Sequence, residues 1–197
     1  MSFIVYKNTY PAPMISKKEI LRYSGAKNTR DLELLLDDCV KYAKDKISYN
    51  VCYCELPVTI CDDICDFGVF SLQSKDLALN LKGCKKVLIF AATLGIDFDR
   101  VIAKYSSISP ATAVMLDAFG VERIEALCDT FCLDMQTKLK LNLKPRFSAG
   151  YGDLPLDAQK QIFSLLDCPR QIGLTLNDSL MMSPSKSVTA FIGIQSP

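Results

Sequence analysis

The hydrophobic pattern near the start of the chain is helical. Apolar residues recur three and four positions apart, which predicts an amphipathic helix that begins at Asn28 or Thr29 and runs to about Lys46. Upstream, the run SKKE at Ser16–Glu19 has the sequence of a capping box, so a shorter helix is predicted there, ending at Gly25. The first 47 residues are therefore predicted to be a helical N-terminal part.

The pattern becomes strand-like between residues 48 and 71. Val, Ile, Tyr, Phe and Cys are frequent there, and turn residues interrupt the runs SYNVCYCELPVTI and DICDFGVFSL. Ser74 can cap a helix over KDLALNL that ends at Gly83. The apolar run KKVLIFAATLG is typical of a buried strand, and IGLTL and SVTAFIGI predict the last two strands. Strands at 48–93 and 172–194, with long helices before and between them, predict an α+β fold. We expect a single domain over residues 1–197, with a largely antiparallel sheet flanked by helices.

The longest helix is predicted from Ser109-Pro110, an N-cap followed by proline at the first helical position, to about Lys140. Its apolar seam consists of Val114, Ala118, Val121, Cys128, Cys132, Met135 and Leu139. Glu125 occupies a place on this seam, where an unpaired carboxylate would be costly. Three explanations stay open: the helix is rotated so that Glu125 lies at a boundary, Arg123 or a lysine neutralises it, or it faces a cationic ligand.

The segment RFSAGYGDLP, from Arg146 to Pro155, follows this helix and precedes a short one predicted to end at about Leu166. Two glycines bracket Tyr151, and glycine permits positive φ and a close approach of the backbone to a ligand. Arg146 offers a planar fork of donors suited to a carboxylate or phosphate, and tyrosine adds a rigid face with a polar tip. The alternative is an ordinary loop in which Arg146 caps carbonyl groups and Tyr151 packs on the core.

Composition argues against several classes of function. The formal net charge of +1 gives no reason to expect nucleic acid binding, and no basic run indicates a membrane surface. No apolar run approaches ~18 residues and the first residues lack signal-peptide features, so we expect a cytoplasmic protein without a membrane span. The odd number of cysteines, 9, in a chain long enough for a full core argues against a disulfide framework, and the lack of C-x-x-C spacing argues against a metal site. The chain has 0 histidines, which removes Ser-His and Cys-His catalysis.

Two stretches, RFSAGYGDLPLDAQKQIFSLLD and IGLTLNDSLMMSPSKSVTAFIGI, resemble the activation (reactivation) domain of cobalamin-dependent methionine synthase. That family carries an Arg-x-x-x-Gly-Tyr turn that holds S-adenosylmethionine, a helix, a Gly-x-x-Leu segment and a Met-x-Pro-x-x-Ser-Val loop before a strand. The corresponding residues here are Arg146, Gly150 and Tyr151; Gly173, Leu176 and Ser179; and Met182, Pro184, Ser187 and Val188. The resemblance runs from about Ala91 to Ile194 and is faint before that.

The resemblance implies a twisted antiparallel sheet with helices around a shallow groove that binds S-adenosylmethionine. It implies that Arg146 binds the ligand carboxylate, with help from backbone groups of Ser148, Ala149 and Gly150. Tyr151 would contact the ligand. Glu125, which matches a Glu-Ala step in the family's helix, would balance the ligand's positive charge. The sulfonium already activates the methyl group, so no catalytic residue is expected and placement is the protein's contribution.

The resemblance also implies partners. In the family, the domain supports reductive remethylation of inactive cob(II)alamin, and this chain lacks the histidine-bearing loop that holds cobalamin in carrier domains. We therefore expect an accessory component that meets cobalamin only on a separate cobalamin-dependent methionine synthase or related corrinoid methyltransferase, with an electron donor such as a flavodoxin. The family's Asp near the domain start and Tyr beyond the last strand have no counterpart here, which implies a more open groove. The alternatives are a regulatory module that binds S-adenosylmethionine without methyl transfer, and an adaptor.

Overall fold

The computed structural model describes residues 3–25 and 29–195. The helices are α1 (Lys17–Ser24), α2 (Arg30–Ala43), α3 (Lys75–Asn80), α4 (Ile96–Ile108), α5 (Pro110–Leu139), α6 (Gln159–Leu166) and α7 (Cys168–Ile172), with short 3-10 helices at Lys44–Lys46 and Leu156–Ala158. The strands are β1 (Tyr6–Thr9), β2 (Asn50–Pro57), β3 (Thr59–Cys61), β4 (Ile64–Asp66), β5 (Ser71–Gln73), β6 (Cys84–Thr93), β7 (Thr175–Leu176), β8 (Met182–Ser183) and β9 (Ser187–Gln195).

A four-stranded antiparallel sheet of order β1-β2-β6-β9 organises the chain. In β6, alternate residues face opposite sides, and the register places Ile89 beside Cys54 of β2 and Phe191 of β9. Leu88 and Phe90 belong to one core and Ile89 to the other, and all three side chains are fully buried. Because both faces of the sheet are covered, β6 reads as a continuous apolar run rather than an alternating one. The predicted α+β class with antiparallel strands is confirmed.

The two faces of this sheet carry two hydrophobic cores. Helices α1, α2, α4 and α5 cover the first face, where Phe131 of α5 packs against Phe90 with ring centroids 4.8 Å apart. Helices α3, α6 and α7 cover the second face together with the small sheet β3-β4-β5. There Phe67 stacks on Phe191 at 5.3 Å. Each such buried side chain contributes about 1.5–3 kcal/mol relative to exposure.

The predicted helix starts are confirmed. The hydroxyl oxygens of Thr29, Ser74 and Ser109 accept hydrogen bonds from the backbone N–H three residues on, as N-caps do. Asn28, the other predicted start of α2, lies outside the described residues. Ser16 also caps α1, but only half of the capping box forms, because the Ser16 N–H donates to Glu122 Oε1 at 3.0 Å instead of to Glu19.

Parts of the fold differ from the predictions. The N-terminal part is not purely helical, because β1 pairs with the edge of β2, and its short polar sequence YKNT carries no alternating pattern. The predicted strand IGLTL shrinks to β7, which pairs with β8 in a separate two-stranded sheet. The helix expected after Pro155 begins as a 3-10 helix, and α7 was not predicted.

The buried face of α5 is rotated relative to the predicted seam. Val114 is 56% exposed, whereas Glu122 and Arg123 are 5% and 0% exposed. Ala118, Cys128 and Met135 of the predicted seam are buried, at 3%, 0% and 4% exposure, so the packed face keeps part of the seam and extends around the helix to Glu122 and Arg123. The buried carboxylate of this helix is therefore Glu122 rather than Glu125.

Arg123 neutralises this buried carboxylate. Its guanidinium donates to both Glu122 oxygens, from Nε at 2.5 Å and from Nη2 at 2.6 Å, and also to the carbonyl oxygens of Pro13 and Met14 at 2.6 Å. The pair thus anchors the segment before α1 on the middle of α5. Arg123 was considered as the partner of Glu125, and that prediction is wrong.

All 9 cysteines are free thiols. Within residues 3–25 and 29–195, no helix is both long and apolar enough to cross a membrane.

Candidate functional site

The segment after α5 runs along the free edge of β9. Isolated antiparallel bridges join Leu143 to Ile194 and Phe147 to Phe191. Phe147 packs against the core under α6, so the alternation of an extended chain directs the preceding Arg146 to the opposite side, toward α5. The sheet edge therefore fixes the place of Arg146.

Arg146 meets two carboxylates of α5. Its Nη2 donates to Glu125 Oε2 at 2.9 Å and to Asp129 Oδ1 at 3.0 Å. Glu125 and Asp129 are four residues apart, so they lie on one face of the helix, one turn from each other. The side chain of Glu125 is 42% exposed and that of Asp129 is 76% exposed. Glu125 thus lies at a boundary, which is the first of the three explanations left open by the sequence.

Only part of the hydrogen-bonding capacity of the Arg146 guanidinium is satisfied within the described residues. Its Nη1 is buried and has no hydrogen-bond partner among the described residues. Burial disfavours the charged form of Arg146, but the carboxylates of Glu125 and Asp129 favour it, and the pKa of the guanidinium is raised. Burial also raises the pKa of the adjacent thiol of Cys128, so this cysteine is neutral at pH 7 and is not a nucleophile.

The backbone from Ser148 to Leu154 forms a compact turn. The Gly150 N–H donates to Leu154 O at 2.9 Å, and the Tyr151 N–H donates to Ser148 O at 3.2 Å. Gly150 has φ +84°, and a Cβ there would lie 3.1 Å from Leu156 Cδ1. The Gly150 N–H is therefore engaged inside the turn and is not the free donor that we expected for a ligand. The N–H groups of Ser148 and Ala149 donate to no acceptor in the described part of the chain.

Tyr151 projects from the turn into solvent. It is 72% exposed, and its ring meets the edge of Phe147 with centroids 6.2 Å apart. Ala149, by contrast, is buried under the turn. The alternative in which Tyr151 packs on the core and Arg146 caps carbonyl groups is therefore wrong for both residues.

Asp153 joins this turn to the start of α3. Its carboxylate accepts hydrogen bonds from the hydroxyl of Ser74 and from the N–H groups of Lys75 at 2.8 Å and Asp76 at 3.2 Å. In return, the Asp153 N–H donates to Asp76 Oδ2 at 3.2 Å. These bonds, with the Ser74 hydroxyl first among them, lower the pKa of Asp153.

The second predicted motif lies on the loop that leads into β9. The Ser187 hydroxyl donates to Pro184 O at 2.8 Å and lies 2.8 Å from Thr93 Oγ1, which fixes the loop to the end of β6. Gly173, at φ +68°, ends α7. Leu176 lies in β7, Ser179 in the β7–β8 turn and Met182 in β8. Leu176 and Met182 pack against the second core, whereas Gly173 and Ser179 are exposed.

The structure brings Glu125 and Arg146 together and places Ser148, Ala149, Gly150 and Tyr151 in the turn that follows. Sequence reasoning missed Asp129 and Asp153. The four-residue spacing of Asp129 from Glu125 was a usable signal for the first, whereas nothing near Asp153 indicates its partners on α3. In the part of the chain that is described, no cluster of three or more potential ligands could hold a metal ion.

Comparison with known proteins shows that the fold is similar to that of a methionine synthase reactivation domain. A crystal structure of the MetH reactivation domain bound to AdoHcy matches with a TM-score of 0.69 and 14% sequence identity, covering 96% of this chain and 78% of that chain. Residues 133–196, which include the turn and the last strand, match the family model of the vitamin B12 dependent methionine synthase, activation domain. No curated protein sequence matches the chain significantly. The resemblance predicted from the sequence is thereby confirmed.

Proposed function

We propose that this protein binds S-adenosylmethionine at the Arg146 turn and presents its methyl group to an oxidised corrinoid on a partner. The match of the turn to the activation-domain model supports the ligand class. The observation that carries the proposal is the guanidinium of Arg146, whose buried Nη1 has no hydrogen-bond partner among the described residues. Arg146 begins the turn that also carries the N–H groups of Ser148 and Ala149 and the exposed ring of Tyr151.

The residues present suit the amino-acid end of this ligand. A buried donor without an acceptor costs free energy, and a ligand carboxylate would supply Arg146 with the missing acceptor after a small turn of the guanidinium. The present partners, Glu125 and Asp129, are largely solvated, so exchanging them for the ligand carboxylate costs little. The free N–H groups of Ser148 and Ala149 provide the additional donors.

The charges of the site suit a cation. Two carboxylates surround one guanidinium, so this cluster carries a net charge of about −1 when all three groups are ionised. The ammonium and sulfonium groups of S-adenosylmethionine are the parts that Glu125 and Asp129 would stabilise. Glu125 therefore keeps the role implied by the family resemblance, and Asp129 shares it.

The protein's contribution to the reaction is binding and orientation. S-adenosylmethionine supplies an already activated methyl group, while a separate donor, a flavodoxin for example, supplies the electron that the corrinoid requires. Arg146 and Glu125 hold one end of the ligand, and the exposed ring of Tyr151 bounds the groove. Holding the methyl group in a fixed position relative to the corrinoid makes the transfer effectively unimolecular instead of bimolecular.

Two measurements test this function. Isothermal titration calorimetry with S-adenosylmethionine and S-adenosylhomocysteine should show saturable binding of both to a single site, and absence of binding would overturn the proposal. Methylation of cob(II)alamin on a cobalamin-loaded methionine synthase, with a chemical reductant, should then depend on this protein. Binding without methylation would instead indicate a regulatory module that senses S-adenosylmethionine.

A further inference from the structure

The turn from Ser148 to Leu154 is attached to helix α3 through Asp153. Helix α3 is fixed in the second core by Leu77, which is fully buried, and its N-cap Ser74 is 2% exposed. The Ser74 hydroxyl accepts from the Leu77 N–H at 3.0 Å and donates to Asp153. Asp153 is thereby connected to the core although its own side chain is at the surface.

The attachment is reciprocal and close. Asp153 accepts three hydrogen bonds from α3 and its preceding residue, and Asp76 accepts one from the Asp153 backbone. Gly152 lies between Tyr151 and Asp153 at φ +55°, and a Cβ there would lie 3.0 Å from Asp76 Cγ. The Asp76 side chain lies so close to Gly152 that a residue with a Cβ would displace it, and the positive φ also favours glycine at this position.

Apart from this contact, the turn is held by Ala149 and Leu154, which are buried in the second core, and by its own hydrogen bonds. Its other hydrogen bonds are internal and link Gly150 to Leu154, Tyr151 to Ser148, and Leu154 to Tyr151. Internal bonds fix the shape of a turn but not its place relative to α5, where Glu125 and Asp129 lie. A binding loop that is ordered beforehand binds more tightly because it loses less conformational entropy.

We propose that Asp153 is a positioning residue for the ligand turn, and that its clamp on Ser74, Lys75 and Asp76 holds Gly150 and Tyr151 in the binding geometry before a ligand arrives. This inference rests on the proposed function for its ligand, but the clamp itself is independent of any ligand. The low pKa of Asp153 keeps the clamp ionised throughout the physiological pH range.

The first readout is how strongly the turn is ordered in the absence of ligand. The chain contains 0 tryptophans, so Tyr151→Trp introduces a single fluorescent reporter at the tip of the turn. Steady-state anisotropy of this reporter, without ligand, should fall when Asp153→Ala is added and fall less with Asp153→Asn, which retains one acceptor oxygen. Unchanged anisotropy in both variants would overturn the clamp, whatever the protein binds.

Ligand affinity is the second readout, measured by titration with S-adenosylmethionine in the background that retains Tyr151. Asp153→Ala should weaken binding roughly tenfold and Asp153→Asn less. Without the clamp the turn becomes ordered only when the ligand binds, so the lost conformational entropy reduces the free energy of binding. The matched control is Thr29→Ala, which removes the N-cap of α2 on the other face of the sheet and should leave affinity unchanged. If Asp153→Ala weakens binding no more than the control does, its role is only structural and the proposal fails. If the unmodified protein binds no S-adenosylmethionine, the proposed function fails. The anisotropy measurement still shows in that case whether Asp153 orders the turn.

Discussion

Replacing Arg146 by alanine separates a ligand-binding arginine from a structural one. Among the described residues, the hydrogen bonds of the guanidinium go to Glu125 and Asp129, both from Nη2. If it also binds the ligand carboxylate, the substitution removes a charge-assisted hydrogen-bonded pair, which is worth about 2–3 kcal/mol. The expected result is an affinity for S-adenosylmethionine that is roughly 30- to 150-fold weaker.

The same substitution should change the stability of the free protein very little. The carboxylates of Glu125 and Asp129 are 42% and 76% exposed, so water solvates them once Arg146 is gone. Solvent-exposed ion pairs contribute up to about 1 kcal/mol, and removal of the unpaired Nη1 offsets part of that loss. We therefore expect the free energy of unfolding to fall by less than about 1 kcal/mol.

Calorimetric titration and urea unfolding of the same preparations measure both quantities. Arg100→Ala is the matched control, because Arg100 lies on α4 in an exposed pair with Asp97 at 2.7 Å and has no link to the turn. It should alter neither affinity nor stability beyond the scatter of surface substitutions. A large loss of stability in Arg146→Ala, with affinity unchanged, would refute the reasoning and make Arg146 a structural residue.

Three further predictions follow from the same contacts. Glu125→Gln should leave the stability of the free protein unchanged, because the carboxylate is half exposed, and should weaken S-adenosylmethionine more than S-adenosylhomocysteine if it senses the sulfonium; equal weakening in calorimetry would point to the shared ammonium. Gly150→Val should abolish binding, because φ is +84° and a Cβ there would lie 3.1 Å from Leu156 Cδ1. Circular dichroism should show unchanged helical content. Unaltered affinity would mean that the turn is not part of the site. Arg123→Met should lower the free energy of unfolding in urea by about 3–5 kcal/mol, because it leaves Glu122 buried without its partner; a loss below about 1 kcal/mol would show that water reaches that carboxylate.

Features that depend on neighbouring residues could be predicted from the sequence. Ser74 and Ser109 mark helix starts because a cap bonds to an N–H only three residues away. The strand β6 was recognisable because its run of apolar residues suits burial on both faces. The turn from Arg146 to Tyr151 was recognisable because its arginine and its glycines lie within a few residues of each other.

The sequence misplaced the odd carboxylate of α5 for a physical reason. Heptad spacing put Glu125 on the seam, but α1, α2, α4 and the sheet together decide which side of α5 is covered. The packing rotates the buried side onto Glu122 and Arg123, and leaves Glu125 at the rim beside Arg146. A similar competition produces β1, whose residues gain a partner only because the edge of β2 is open.

The sequence by itself determined helices α1, α2 and α5, strands β2, β6 and β9, the α+β class and the turn after Arg146. Each of these is specified by periodicity, caps and turn residues that act over a few positions. Only the tertiary structure decided which groups meet. Arg146 pairs with a carboxylate 21 residues away, and Asp153 bonds to α3 across 77 residues. Such contacts depend on how helices and sheet pack in three dimensions, and no local pattern along the chain records that packing.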